Sequence, residues 1–221
     1  MGKTKDVTIN GDGTCTFKFK NDVTGENGVF DPGANTVGLT IDGMGKASML
    51  LSRYFFPILR RAGVPTHDIS FDIEAGTMRA YALEMLLVEF IWRAKTWGSF
   101  CKIYGVKQGL ELPKIIEATL KSDALGDPRI NREAAVAIGL LTVKQYAGCD
   151  KLTRLIGDVL QAEFAKFGYE LIDFKVEFGV NERGEILLGD EISGGICRLL
   201  KDGKPVDPID AARTICPKYY E

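Results

Sequence analysis

Tyr169–Arg198 reads YELIDFKVEFGVNERGEILLGDEISGGICR, and its pattern decides the fold. Leu171–Phe178 alternates with the period of a strand. Ile172, Phe174, Val176 and Phe178 fall on one face, which is wholly apolar and needs a core. Leu171, Asp173, Lys175 and Glu177 fall on the other, where two carboxylates flank a lysine. Asn181–Gly184 is a polar, glycine-ended turn, so Glu185–Asp190 is expected to return as the antiparallel partner. With the loop closed at those residues, Lys175 stands opposite Asp190 and Glu177 lies diagonal to it. Glu177 and Asp190 then share a sheet face with no cation between them. A divalent cation relieves such repulsion, and carboxylate oxygens suit magnesium carrying nucleotide phosphates. A solvated face with surface ion pairs is the plain alternative. The Asp190–Glu191 pair behind Gly189, followed by Gly194-Gly195 and Arg198, favours the functional reading.

The chain of 221 residues fits one large domain or two small lobes, and with 45% apolar residues it can bury a core. A net charge of −2 opposes a broad electrostatic grip on nucleic acid, so no nucleic-acid partner is expected. No apolar run approaches a membrane span, and MGKTKDVTINGDG lacks the apolar centre of a signal peptide. Cys15, Cys101, Cys149, Cys197 and Cys216 fall at unrelated spacings without a CxxC, and His67 is the single histidine. Zinc binding, a disulfide framework and a histidine-dependent hydrolase are therefore poorly supported. A reducing cytoplasm is the expected location.

Upstream, Cys15–Lys20 alternates between turn signals, and Gly25–Gly38 is rich in loop formers. Ala47–Arg61 changes to helical spacing, ended by Gly63 and Pro65, and should bury its stripe against the N-terminal sheet. Ile69–Asp72 and Thr77–Ala82 read as short strands. Met85–Trp92 reads as a buried strand ended by Arg93, and Glu89 inside it is expected to be paired or functional. Glu111–Lys121 carries no decisive pattern. Asn131–Gly139 predicts a short helix, and Lys151–Phe167 a long one with Gly168 beyond its end. After Arg198 the chain turns short, polar and Pro-containing. The order of elements predicts an α+β protein with mainly antiparallel sheets.

Several short motifs could hold phosphate. Lys3 and Lys5 sit one residue apart on an extended segment and can act as point charges, although paired lysines near a terminus are commonly just solvated. Gly43–Ser48 opens a helix that can hold an anion, with an ordinary helix entry as the simpler reading. Arg93, Ser99 and Lys102, beside Gly98, can form a cradle or merely a basic surface loop. Lys121–Pro128 is a charged loop, read as a turn or as a nucleotide contact.

Taken in order, these segments resemble the SAICAR synthetase family across nearly the whole chain. The resemblance rests on GKTKDV at 2–7, KND at 20–22, GVPTH at 63–67 and VEFIWR with GSFCKIYG within 88–105. It continues through TLKSDALGDPRIN at 119–131, FKVEFG at 174–179, GEILLGDEIS at 184–193 and Arg198. It implies two α+β lobes, at 1–83 and 84–221, with an ATP cleft between them similar to those of kinases and ATP-grasp enzymes. It implies an ATP- and magnesium-dependent ligase joining a carboxylated aminoimidazole ribotide to L-aspartate, expected as a homodimer or higher homo-oligomer. By resemblance, Lys3, Lys5 and Lys121 contact the nucleotide, and the Met85–Leu87 backbone reads adenine. Glu177 and Asp190 hold the metal, Arg93, Ser99, Lys102 and Arg198 hold the ribotide, and Asp173 and Lys175 line the reacting cleft. The chain departs from the commonest pattern at Ser193-Gly194-Gly195, where Ser-Pro-Asp is usual. It also has Ile103 in place of a second base and Met44 in place of a lysine. A related ligase with another heterocycle or amino acid, and a non-catalytic nucleotide-binding homologue, are the rival expectations.

Overall fold

The computed structural model describes residues 2–26, 28–31 and 37–220. In chain order the first strands are β1 (Lys5–Ile9), β2 (Thr14–Phe19), β3 (Asp22–Glu26), β4 (Val29–Phe30) and β5 (Val37–Thr40). Helix α1 (Met44–Arg61), β6 (Asp68–Asp72) and β7 (Thr77–Tyr81) follow. The antiparallel order β1-β2-β7-β6 forms a four-stranded sheet, and β4-β3-β5 forms a three-stranded one. Cys15, Phe17 and Phe19 of β2 point inward, as their alternation requires. Phe55, Phe56 and Leu59 of α1 are fully buried in the same apolar cluster, so the helix covers this sheet as expected. The segment read as a loop at Gly25–Gly38 contains strand residues at both ends; residues 27 and 32–36 of it lie outside the described residues.

The larger sheet is built from β8 (Glu84–Lys95), β9 (Glu111–Leu120), β10 (Glu170–Val180), β11 (Ile186–Leu188), β12 (Cys197–Lys201) and β13 (Lys204–Pro205). Its order is β13-β12-β10-β8-β9, with β11 paired to the end of β10. Between these strands lie α2 (Ser99–Tyr104), α3 (Arg132–Ala137) and α4 (Val143–Ala165), and α5 (Pro208–Ile215) follows β13. The apolar face of β10 is fully buried, and α4 packs on this sheet. Trp92 stacks on Phe174 with ring centroids 5.5 Å apart. Gly157 of α4 sits over the indole, where a Cβ would lie 2.4 Å from Trp92 Nε1.

Four local expectations are corrected. The hairpin closes with Val180 opposite Ile186, which shifts the register by one and removes Asp190 from the position facing Lys175. Lys175 instead faces Ile91 of β8. Arg93 does not end its strand; β8 runs on to Lys95, and Arg93 faces both Asp173 and Ile115. Helix α4 starts at Val143, where Thr142 and Gln145 form a capping box. The polar early turns hide that start from a stripe-based reading. Finally, the polar, Pro-containing stretch after Arg198 holds a helix: Asp207 caps α5, whose Ala211, Ala212 and Ile215 are buried.

Candidate active site

The register shift has a chemical consequence. Gly189 N–H donates to Glu177 O at 3.0 Å, and Lys175 N–H donates to Ile196 O at 3.1 Å. Between these two bonds, residues 190–195 leave the edge of β10 as a loop. Ser52 of α1 anchors that loop, accepting the Ile192 N–H at 3.2 Å. The loop thereby presents Asp190 and Glu191, both nearly buried, to the N-terminal strand. Lys5 Nζ lies 2.5 Å from Asp190 Oδ1 and also pairs with Glu191 Oε2. Burial works against the Lys5 ammonium, but the two carboxylates outweigh it and raise the pKa above the usual lysine range. Burial likewise opposes the Asp190 carboxylate, and Lys5 holds its pKa down.

On the polar face of the sheet, Glu177 lies directly opposite Glu89 of β8, and Glu89 opposite Thr119 of β9. Like charges in such register repel. Lys121 bridges them, donating to Glu89 Oε1 and Glu177 Oε1 at 2.8 Å each. Lys175 adds a 3.0 Å bond to Glu89 Oε1, and Thr119 a 3.0 Å bond to Oε2. Burial would raise Glu89, yet Lys175 and Lys121 hold it below the usual range. Burial and then the Asp190 charge push Glu177 up to about 7, against the pull of Lys121.

These groups line a cavity of about 480 Å³ between the four-stranded sheet and the larger one. Its polar wall carries Lys3, Lys5, Lys121, Lys175, Glu177 and Asp190; Val7, Ile9, Phe17, Tyr81, Leu83 and Met85 supply the apolar one. Lys3 bonds Asp123 at 2.7 Å across the mouth. A second cavity, of about 260 Å³, is lined by Glu89, Arg93, Ser99, Asp173 and Arg198, among others. Lys175 and Ile196 line both. In the second cavity Asp173 receives Arg93 Nη1 at 2.5 Å and Arg198 Nη1 at 2.8 Å.

The residues fit a magnesium ion carried by phosphates. Glu177 and Asp190 are hard oxygen donors, and the rise of Glu177 caused in part by Asp190 is the repulsion a dication relieves. Among the described residues no group of three or more His, Cys, Asp or Glu is poised for a metal. The chain would thus supply two ligands and leave the rest to phosphate and water oxygens, as magnesium accepts.

The structure brings Lys3, Lys5, Met85, Lys121, Lys175, Glu177 and Asp190 to one cavity, and Arg93, Ser99, Asp173 and Arg198 to its neighbour. Leu87 and Lys102 line neither, and the Leu87 carbonyl accepts the Lys121 N–H at 3.0 Å. The α1 N-terminus is no anion site, because Asn21 Oδ1 accepts the Gly45 N–H at 3.0 Å. The two carboxylates are not bare as expected, since each has its own lysine, Lys5 on Asp190 and Lys121 on Glu177. Sequence reasoning flagged Glu89 and Glu191 without giving either a role, and did not place His67 at the first cavity, which it lines. Its one signal for Glu89 was a charge inside an apolar strand; His67 had none beyond its motif. Gly194 is explained locally, since a Cβ there would lie 2.3 Å from Pro208 Cβ at the start of α5.

A family model described as SAICAR synthetase matches residues 1–210. A phosphoribosylaminoimidazole-succinocarboxamide synthase of Clostridium tetani is 44% identical over 219 residues, which cover 97% of this chain and 96% of that relative. A synthase of the same name from Deinococcus deserti is 37% identical over 84% of this chain and 76% of its own length. Among solved structures, a SAICAR synthetase (Type-2) in complex with ADP superposes with a TM-score of 0.88 at 29% identity, covering 98% of this chain and 97% of that one. The Ehrlichia chaffeensis phosphoribosylaminoimidazole-succinocarboxamide synthase also reaches a TM-score of 0.88, at 25% identity, over 100% and 97% of the two chains.

Proposed function

This chain belongs to the SAICAR synthetase family, and from that premise we propose that its two joined cavities bind ATP and a carboxylated aminoimidazole ribotide for ligation to L-aspartate. The chain is a ligase of purine biosynthesis. The proposal concerns which atoms do the work. The observation that carries it is Lys175 lining both cavities. That ammonium stands where a γ-phosphoryl group from one side and a carboxylate from the other would meet.

In this reading Met85 and the apolar wall hold adenine beside the Met85–Leu87 backbone. Lys3, Lys5 and Lys121 exchange their carboxylate partners for phosphate oxygens. Glu177 and Asp190 hold magnesium, which supplies charge neutralisation to the phosphates. Ser99 and Arg198 hold the ribotide, Arg93 positions Ser99 and Asp173, and Lys102 stands outside the cavity. The ribotide carboxylate attacks the γ-phosphorus, ADP leaves, and an acyl phosphate forms. The aspartate amine then attacks the acyl carbon, its proton is lost, and phosphate leaves with the amide formed. An anionic carboxylate is a poor acyl donor, which is why the phosphoryl transfer comes first. The protein's contribution is alignment and charge stabilisation. Asp173, held by two arginines, shapes the junction without acting as a free base.

We place the boundary between lobes at 83/84, between the two sheets, and propose a cytoplasmic homo-oligomer. The test is ADP release by the purified protein with ATP, magnesium and the ribotide. Release that requires L-aspartate, with glutamate and asparagine far poorer, supports the reading. Faster release with another amino acid would assign the chain to a different ligation, with the Gly194-Gly195 loop as the first place to look.

A further inference from the structure

The second cavity contains a guanidinium that neither the sequence reading nor the site described above uses. Arg129 follows Pro128 between β9 and α3, and its backbone bridges to Thr119. It lines the cavity together with Arg93, Ser99 and Arg198. The three arginines differ in what they have left to give. Arg93 is 2% exposed, with Nε on Glu117 at 2.7 Å, Nη1 on Asp173 at 2.5 Å and Nη2 on Ser99 at 3.2 Å. Arg198 is committed to Asp173 through Nη1 and to Asp31 through Nη2, at 2.8 and 2.5 Å. Both are already paired with the Asp173 carboxylate, whose side chain is 3% exposed.

Arg129 is held without being used up. Its guanidinium carbon lies 5.1 Å from the Tyr104 ring centroid, and Nη1 forms an ion pair with Glu117. Tyr104 OH donates to the same Glu117 carboxylate at 3.0 Å. Stacking and one ion pair orient the planar group. Its Nε and Nη1 are both buried with no hydrogen-bond partner among the described residues, so the Glu117 contact is an ion pair alone. Asp127 Oδ2, two residues earlier and lining the same cavity, is also buried without a partner. An orphan donor and an orphan acceptor that do not satisfy each other point to a polar ligand between the walls. Ile103 of α2, where a second base was expected, lines this cavity as well, so α2 brings no charge at that point.

We propose that Arg129 binds the ribotide phosphate directly and sets the preference for a phosphorylated over a dephosphorylated ligand. Arg93 is then a positioning residue for Ser99 and Asp173. This inference rests on the reading of the second cavity as the ribotide site. The planar fork of an arginine can give a phosphate two parallel hydrogen bonds, and Arg129 has its Nε unpartnered where all three nitrogens of Arg93 are already engaged.

The experiment compares wild type, R129M, R129K and S99A in steady-state kinetics with the ribotide, with the dephosphorylated riboside as competing inhibitor. R129M should raise the ribotide KM roughly 10- to 100-fold, as loss of a charge-assisted bond does. The ATP KM, kcat and riboside inhibition constant should be little changed. R129K, which keeps the charge without the fork, should recover part of the loss. A normal ribotide KM in R129M, with a raised one in S99A, overturns the Arg129 assignment and leaves the cavity reading intact. Normal values in both variants overturn the cavity reading itself. An equal loss for ribotide and riboside in R129M also overturns the proposal, because Arg129 would then shape the cavity rather than hold phosphate.

Discussion

Replacing Lys5 with methionine isolates the charge that ties the 190–195 loop to the N-terminal strand. The side chains of Asp190 and Glu191 are 7% and 3% exposed, and Lys5 is the cation between them. Removing one member of a buried ion pair costs roughly 3–5 kcal/mol, because the survivor keeps its desolvation penalty. Here both survivors retain some support. Asp190 accepts the Glu191 N–H at 2.8 Å, and Glu191 accepts the Ser193 hydroxyl at 3.2 Å. The lower end, about 3 kcal/mol, is therefore expected, or roughly a 6–12 °C fall in Tm for a chain of this size. Urea unfolding at neutral pH reads the loss. The same deletion in an Asp190→Asn background should cost at least about 1 kcal/mol less, since neighbours that interact are not additive. Magnesium should restore part of the lost stability in Lys5→Met, because Asp190 is then free to meet a cation beside Glu177. A wild-type midpoint in Lys5→Met, or an identical loss in both backgrounds, would refute the reasoning.

Three further outcomes are expected. Burial and the Lys5 charge lower His67 from 6.5 to about 4, so the unfolded chain binds the extra proton between those values. Stability should fall as pH drops through that window, by about 3 kcal/mol at the acid end, and His67→Leu should flatten this part of the urea-midpoint profile, whereas parallel profiles would exclude the histidine as its source. Gly157→Ala places a methyl group 2.4 Å from Trp92 Nε1; overpacking of about 1–3 kcal/mol, offset by up to about 1 kcal/mol of helix propensity, should lower Tm, and an unchanged or higher Tm would show that the indole can yield. Asp190→Asn should abolish turnover with the fold intact by circular dichroism, and wild-type magnesium dependence in that variant would remove Asp190 from the metal site.

What could be read from the sequence followed the two simplest periodicities. The alternation of Ile172, Phe174, Val176 and Phe178 placed a core face on β10, and the stripe of α1 placed its cover on the first sheet. The register of β11 could not be read the same way, since it depends on whether Glu185 belongs to the loop, and Asn181 takes up both the Glu185 N–H and its carboxylate. That one residue moves Asp190 out of the strand and into a loop held by Ser52, a contact across 140 positions of sequence. The lysines were legible as phosphate binders only through their motif. Their partners Glu89, Glu177, Asp190 and Glu191 come from three separate stretches of chain, and no local pattern announces which pairs with which. Arg129 was invisible for the same reason, because its neighbours Tyr104 and Glu117 are brought to it by β9 and α2.

The most direct test follows the oxygen atoms. The carboxylated ribotide labelled with ¹⁸O in its carboxylate is turned over with ATP, magnesium and L-aspartate, and the released phosphate is examined by ³¹P NMR. Activation through an acyl phosphate predicts one ¹⁸O in each phosphate released, matched by equal amounts of ADP and amide product. Phosphate without the label, formed while the amide accumulates, would contradict phosphoryl transfer to the carboxylate and with it the role given to the junction at Lys175.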